Sequence, residues 1–218
     1  MTTMVNRKKV TKINSKFHNL AYEKRATIIN ASMQEFTSKG YQLASTNEIV
    51  KRSGISKGSL FNYFNNKKDL YLFLIEYGIE VSREIMTEID FNETDLLERL
   101  KQITIVKMRV IKKYPEVFSF LQGAIAERSE EVKQDVEQIT MQFAKESYQK
   151  LYENLDYTKF RDDIDIQKAI KTIYWTIEGI GNESKEKIKS DRADSFDVDA
   201  PFKEMDGYIE LFQKAFYK

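Results

Sequence analysis

Residues 45–64 read S-T-N-E-I-V-K-R-S-G-I-S-K-G-S-L-F-N-Y-F, an order that predicts two short helices joined by a tight turn. Ser45 has the chemistry of an N-cap, and Glu48 follows three residues later, which is capping-box spacing. Ile49 and Val50 face inward. Gly54 can take the left-handed conformation that closes a helix. Ser56 caps the second helix. Helical periodicity sets Leu60, Phe61 and Phe64 on one side of it and Ser59, Asn62 and Tyr63 on the other. Lys57 and Gly58 open that helix. Small backbone, hydroxyls, an amide and a cation on one outer face suit the major groove of duplex DNA. A helix N-terminus there also offers its positive dipole to phosphate.

Charge is distributed to match. The whole chain of 218 residues is nearly neutral at +1. Residues 1–70 hold 13 Lys and Arg against 4 Asp and Glu, a net of +9, while the other 148 residues hold 22 against 30, a net of −8. A basic head joined to an acidic body is the balance expected of a DNA-binding module fused to a non-DNA-binding one.

The segment 45–64 resembles the DNA-binding half of the TetR family of bacterial transcriptional repressors. The likeness extends upstream through I-I-N-A-S-M-Q-E-F-T-S-K-G-Y (28–41) and downstream through N-N-K-K-D-L-Y (65–71), about a quarter of the chain. Phe36, Gly40 and Tyr41, then Gly54, Ser56, Lys57, Gly58, Leu60, Tyr63, Phe64 and Lys67, stand at the family's fixed offsets. Two positions depart from it. Ser32 replaces a usual alanine, and Phe61 replaces a frequent tyrosine, which removes a hydroxyl but leaves a ring able to pack or to meet a thymine methyl.

The resemblance implies DNA contacts from Ser45, Thr46 and Asn47 at the start of the first reader helix. It implies further contacts from Ser56, Lys57, Gly58, Ser59, Asn62 and Tyr63, with Lys67 on a phosphate. Lys57 and Asn47 are the expected base readers, and Thr46, Tyr63 and Lys67 the backbone contacts. A solvated lysine is the other reading of Lys67.

The rest of the chain reads as helix. A first helix spans 20–38, with Tyr22, Ala26, Ile29, Met33 and Phe36 forming its stripe and Gly40 its stop. Further helices are expected over about 68–89, 95–114, 116–126, 129–155 and 165–188, and from Pro201 onward. Pro115 suits a helix start. F-N-E-T-D (91–95) reads as a linker with Asn92 or Thr94 as a cap, and 156–165 and 190–200 read as polar loops. No stretch reads as a strand. The expected fold is therefore all-α, about nine helices. Its domains are a basic flexible arm (1–19), a helix-turn-helix DNA-binding domain (20–67) and a helical ligand-binding and dimerisation domain (68–218).

The arm carries Arg7, Lys8, Lys9, Lys12 and Lys16. It either lies along DNA, on phosphates or in a minor groove, or only aids solubility. The last two helices each bear an apolar stripe that serves a homodimer interface, an internal core, or both. In the resembled family the corresponding pair builds the dimer, which would read a near-palindromic double-stranded operator. The family's body binds a small apolar or amphipathic inducer. Phe118, Tyr174, Trp175 and Glu178 are the candidate ligand contacts, plain core and a surface carboxylate being the other readings.

Several chemistries are excluded. One histidine and no cysteine leave no thiolate metal site, no disulfide and few nucleophile–base pairs. The eight glycines form no phosphate-cradling loop. No apolar run approaches the ~20 residues that span a bilayer, and the N-terminal residues lack a signal-peptide core. The expectation is a cytoplasmic, non-enzymatic regulator without cofactor. It is either a repressor released by a ligand or an architectural DNA binder with a protein partner and no inducer.

Overall fold

Apolar residues at helical spacing become the buried stripes of a helical protein. The computed structural model describes residues 14–190 and 200–218. Among them are ten α-helices: α1 Ser15–His18, α2 Tyr22–Leu43, α3 Thr46–Ser53, α4 Lys57–Tyr63, α5 Lys67–Thr87, α6 Leu96–Lys113, α7 Pro115–Ile125, α8 Lys133–Tyr152, α9 Ile166–Ser190 and α10 Ala200–Phe216. A 3-10 turn spans Tyr157–Lys159, and the described residues hold one isolated antiparallel bridge, Phe160 to Tyr217. The all-α expectation is met.

Two corners depend on positive φ. Gly40 interrupts α2 with φ 69° and ψ 173°, which is why the helix axis turns there. Gly54 closes α3 in the left-handed region at φ 62° and ψ 37°.

The chain divides into two compact units. The first comprises the described residues up to Glu84 together with Val110–Glu146; the second comprises Ile85–Arg109 and the described residues from Ser147 onward. The reader helices therefore share a unit with α7 and most of α8.

Aromatic rings build the first unit's interior. Phe17 of α1 is buried, with ring centroids 4.9 Å from Phe64, 5.3 Å from Phe73 and 5.7 Å from Tyr63. Within the stretch expected to be a flexible arm, residues 14–18 thus form a capped turn pinned by one ring. Arg7, Lys8, Lys9 and Lys12 lie outside the described residues. A second cluster centres on Tyr71, 4.8 Å from Phe36, 5.1 Å from Tyr41 and 5.4 Å from Phe120. Along α2 the buried face is Ile28, Ile29, Ala31, Ser32, Met33 and Phe36, whereas Tyr22 is 70% exposed. Ser32 is accommodated because its hydroxyl donates to the Ile28 carbonyl one turn back, at 2.7 Å.

The second unit has an aliphatic core. Leu96, Leu97, Leu100, Ile170, Ile173, Ile177, Met205, Ile209 and Phe212 pack together. The stripes of α9 and α10 therefore serve an internal core in part. The linker at 91–95 is organised by residues other than those expected. Asp95, not Asn92 or Thr94, caps α6, its Oδ1 accepting the Leu97 N–H at 2.8 Å. Lys159 reaches Asp95 Oδ2 at 2.8 Å, and the Tyr217 hydroxyl donates to Oδ1 at 3.0 Å. Burial pushes the Asp95 carboxyl up, but these bonds outweigh it and leave the group below its ordinary value.

Fully buried Arg99 holds the same region. Its guanidinium donates to the carbonyls of Leu151 (2.9 Å), Glu153 (2.6 Å), Phe91 (3.1 Å) and Glu93. Five donors in a fixed fork satisfy four carbonyls that no helix serves. The expected loop at 190–200 lies, but for its end residues, outside the described residues.

Candidate nucleic-acid interface

α3 and α4 are fixed by polar bonds at their ends and apolar side chains beneath. The start of α3 differs from the capping-box expectation. Ser45 occupies the N-cap position, but its side chain makes no capping bond. Its backbone N–H donates to Glu35 Oε1 of α2, at 3.1 Å. Glu35 is 3% exposed, and its Oε2 stands 3.4 Å from the Arg52 guanidinium in the last turn of α3. One buried carboxylate from α2 thus holds both ends of α3. Sequence spacing could not reveal this, because the two residues are ten apart and belong to different helices.

The turn is fastened from the same helix. Lys24 Nζ donates to the carbonyls of Ser53 (3.2 Å) and Gly54 (3.1 Å). A cation on the last carbonyls of a helix also complements its dipole. Ser56 then caps α4 as expected, its hydroxyl accepting the Ser59 N–H at 3.0 Å and lying 2.9 Å from the Ser59 hydroxyl.

α4 is anchored by Leu60 and Phe64, each 1% exposed. The expected inward position of Phe61 is corrected, since 37% of it is exposed. Tyr63 shifts the other way. Expected to face outward, it is half-buried, its ring against Phe17 and its carbonyl accepting the Asn14 N–H at 3.2 Å. The cause is α1, whose Phe17 needs apolar cover and takes one face of Tyr63.

The remaining candidates fall into two groups. Asn47 on α3 and Ser56, Lys57, Gly58 and Asn62 on α4 are exposed, as are the neighbouring cations Lys51 and Arg52. Ser45, Thr46 and Ser59 are half-buried. Lys67 is already engaged. Its Nζ donates to the carbonyls of Gln42 (3.1 Å) and Ala44 (3.4 Å) and sits 4.8 Å from the Tyr41 ring centroid. An ammonium has three N–H groups, so one is left for an outside anion.

Comparison with known proteins identifies the motif. Residues 28–73 match the family described as "Bacterial regulatory proteins, tetR family". By this segment, about a fifth of the chain, the protein is similar to the tetR family. Its relatives agree. The transcriptional regulator AcuR of Cereibacter sphaeroides is 42% identical over 50 residues, 23% of each chain. The match spans about a quarter of the length of this and the other first curated relatives. The fatty acid metabolism regulator protein of Bacillus subtilis is 21% identical over 151 residues, 69% of this chain and 78% of its own. Among solved structures, a TetR family transcriptional regulator from Chloroflexus aurantiacus superposes with a TM-score of 0.68 at 22% identity, covering 94% of this chain and 99% of that one. This last likeness extends the family's fold over both units.

The candidate ligand contacts do not gather in one unit. Phe118, half-buried on α7, belongs to the first. Tyr174, Trp175 and Glu178 lie on α9 in the second. Trp175 is 65% exposed and Tyr174 40%, while Glu178 is paired with Lys107 at 2.9 Å. In the first unit, Phe73 and Tyr77 line an open apolar groove of about 220 Å³ with Phe17, Tyr22 and Arg25. Among the described residues no cluster of His, Asp and Glu is placed to hold a metal ion, and no helix is long and apolar enough to cross a membrane.

Proposed function

We propose that this chain is a sequence-specific DNA-binding transcriptional regulator, a cytoplasmic repressor that acts as a homodimer on a near-palindromic operator. The observation that carries the reading is the state of α4. Leu60 and Phe64 hold it from beneath, while Lys57, Gly58 and Asn62 are exposed to solvent. In this reading residues 20–67 are the reader. Residues 68–218 bind ligand and form the dimer. Lys57 and Asn47 read bases. Thr46, Tyr63 and the third N–H of Lys67 fix the backbone, and Ser45, Ser56, Gly58, Ser59 and Asn62 complete the contact.

Tyr174, Trp175, Tyr208 and Leu211 are exposed on α9 and α10, which supports a second copy covering that face. Phe118 in the first unit and Tyr174, Trp175 and Glu178 in the second remain the proposed ligand contacts. The likeness to a fatty acid metabolism regulator makes acyl compounds the first inducers to test. An inducer must bind the DNA-incompetent state better than the competent one, or it shifts nothing.

The test is a gel shift of the full chain on the DNA upstream of its own coding sequence, at stated salt. A discrete complex that survives excess random duplex, and that an acyl compound releases, is the expected result. Binding that random duplex competes away equally well would defeat the reading.

A further inference from the structure

The groove between α1, α2 and α5 has a charge pattern of its own. It measures about 220 Å³ and lies within the first unit. Phe17, Ile29 and Phe73 give it an apolar lining, each less than a tenth exposed. Half-buried Tyr77 and exposed Tyr22 line it as well. Two of its lining residues are basic, His18 and Arg25, and none is acidic. Arg25 Nη1 donates to the His18 carbonyl at 2.7 Å, which orients the guanidinium. A guanidinium carries five N–H groups, so this bond does not exhaust the fork. Burial raises the Tyr77 phenol above its ordinary value while the Arg25 charge pulls it down, so the cation acts at the groove itself.

We propose that this groove binds a small amphipathic carboxylate, its tail against Phe17, Ile29 and Phe73 and its carboxylate on Arg25. Charge complementarity selects the class. A wholly apolar occupant would cover a guanidinium and give its donors no acceptor, whereas a carboxylate meets the planar fork with two parallel bonds. Size selects the length. At roughly 30 Å³ for each water-sized group, the groove holds about seven such groups, the tail of a medium-chain acid. The site is separate from Tyr174, Trp175 and Glu178, which belong to the second unit. Phe17 gives it a consequence. The same ring packs on Tyr63 and Phe64 at the end of α4, at 5.7 and 4.9 Å, so a tail seated on Phe17 bears on the reader. The binding stands by itself, and only this consequence rests on the DNA-reading proposal above.

The experiment is calorimetric titration of the full chain with octanoate, octanol and octylamine. Octanoate should bind about tenfold more tightly than octanol, the weight of a charge-assisted hydrogen bond, and octylamine, a cation at neutral pH, should bind least. Arg25→Met, which keeps an apolar stem, should bring octanoate down to the level of octanol. Ala26→Leu fills the groove from α2 without touching the charge, and should weaken octanoate by about tenfold or more. It also decides the matter should Arg25→Met fail to fold, which thermal unfolding reports. The assignment is overturned if octanoate does not bind, if it binds no better than octanol, or if Ala26→Leu binds it as the unaltered chain does. That last result would place the acid elsewhere in the molecule. Octanoate should also shift operator affinity in the unaltered chain and leave that of Ala26→Leu unchanged. A chain that binds octanoate in this pattern but prefers no duplex defeats the DNA reading and leaves the site standing.

Discussion

The backbone N–H of Tyr41 donates to Glu127 Oε2 at 2.8 Å, although the residues are 86 positions apart. The other oxygen of the same carboxylate accepts the N–H groups of Arg128 (2.9 Å) and Ser129 (2.8 Å). The Tyr41 hydroxyl donates to Glu131 Oε1 at 2.6 Å. The turn after Gly40, which sets where α3 begins, is thus tied to the α7–α8 junction by two side chains. Any movement of that junction is felt at the reader.

Glu127→Ala should lower the stability of the first unit by about 1–3 kcal/mol, because a buried amide loses its acceptor. Urea unfolding at pH 7 measures this. The pH dependence follows from the carboxyl's environment. Burial pushes it up, but the Tyr41, Ser129 and Arg128 amides outweigh that and hold it below its ordinary value of 4.5. A depressed value means the stabilisation is present above 4.5 and lost as pH falls through the folded value. The gap between wild type and Glu127→Gln should therefore close on acidification below 4.5. A gap that widens there would contradict this account.

Glu35→Leu removes the acceptor of the Ser45 N–H and leaves Arg52 without its carboxylate. The expected loss is about 1–2 kcal/mol in stability, the weight of a helix cap. Operator affinity should fall further than stability explains, since α3 is freed at both ends. Affinity measured well below the melting temperature, beside a denaturation curve, separates the two effects.

Lys57→Ala should weaken specific binding by about 1–3 kcal/mol and relax the preference at one base pair. Unchanged affinity and unchanged site preference would remove Lys57 from the interface.

Lys67→Ala should have two effects. It abandons the Gln42 and Ala44 carbonyls, costing about 1 kcal/mol of stability. It should also weaken binding to all duplexes alike and flatten the salt dependence by close to one phosphate contact. A salt slope identical to wild type would reduce Lys67 to its internal bonds.

Arg99→Met should destabilise the second unit by about 3 kcal/mol or more, because carbonyls from residues 91–93 and 151–153 lose their donor together. Arg99→Lys should not rescue it, since one ammonium cannot reach all four. Calorimetric unfolding of both variants tests this.

Local order along the chain determined much of this protein. Helical periodicity, with no stretch of strand-type alternation, set the all-α class. The run from Ser45 to Phe64 set the two reader helices, and Gly54 and Ser56 set the turn between them, because caps and left-handed residues act within a few positions of themselves. Charge segregation between residues 1–70 and the remainder was equally plain, being a matter of counting. Tertiary structure decided the rest. Glu35 displaced Glu48 as the partner at the start of α3, Phe17 drew Tyr63 inward while Phe61 stayed out, and Lys67 turned to carbonyls. Asp95 and Arg99 organised a segment that reads as a bare linker. Each of these depends on a partner many residues away. A buried charge or ring takes whichever distant group satisfies it, and sequence spacing carries no record of that choice.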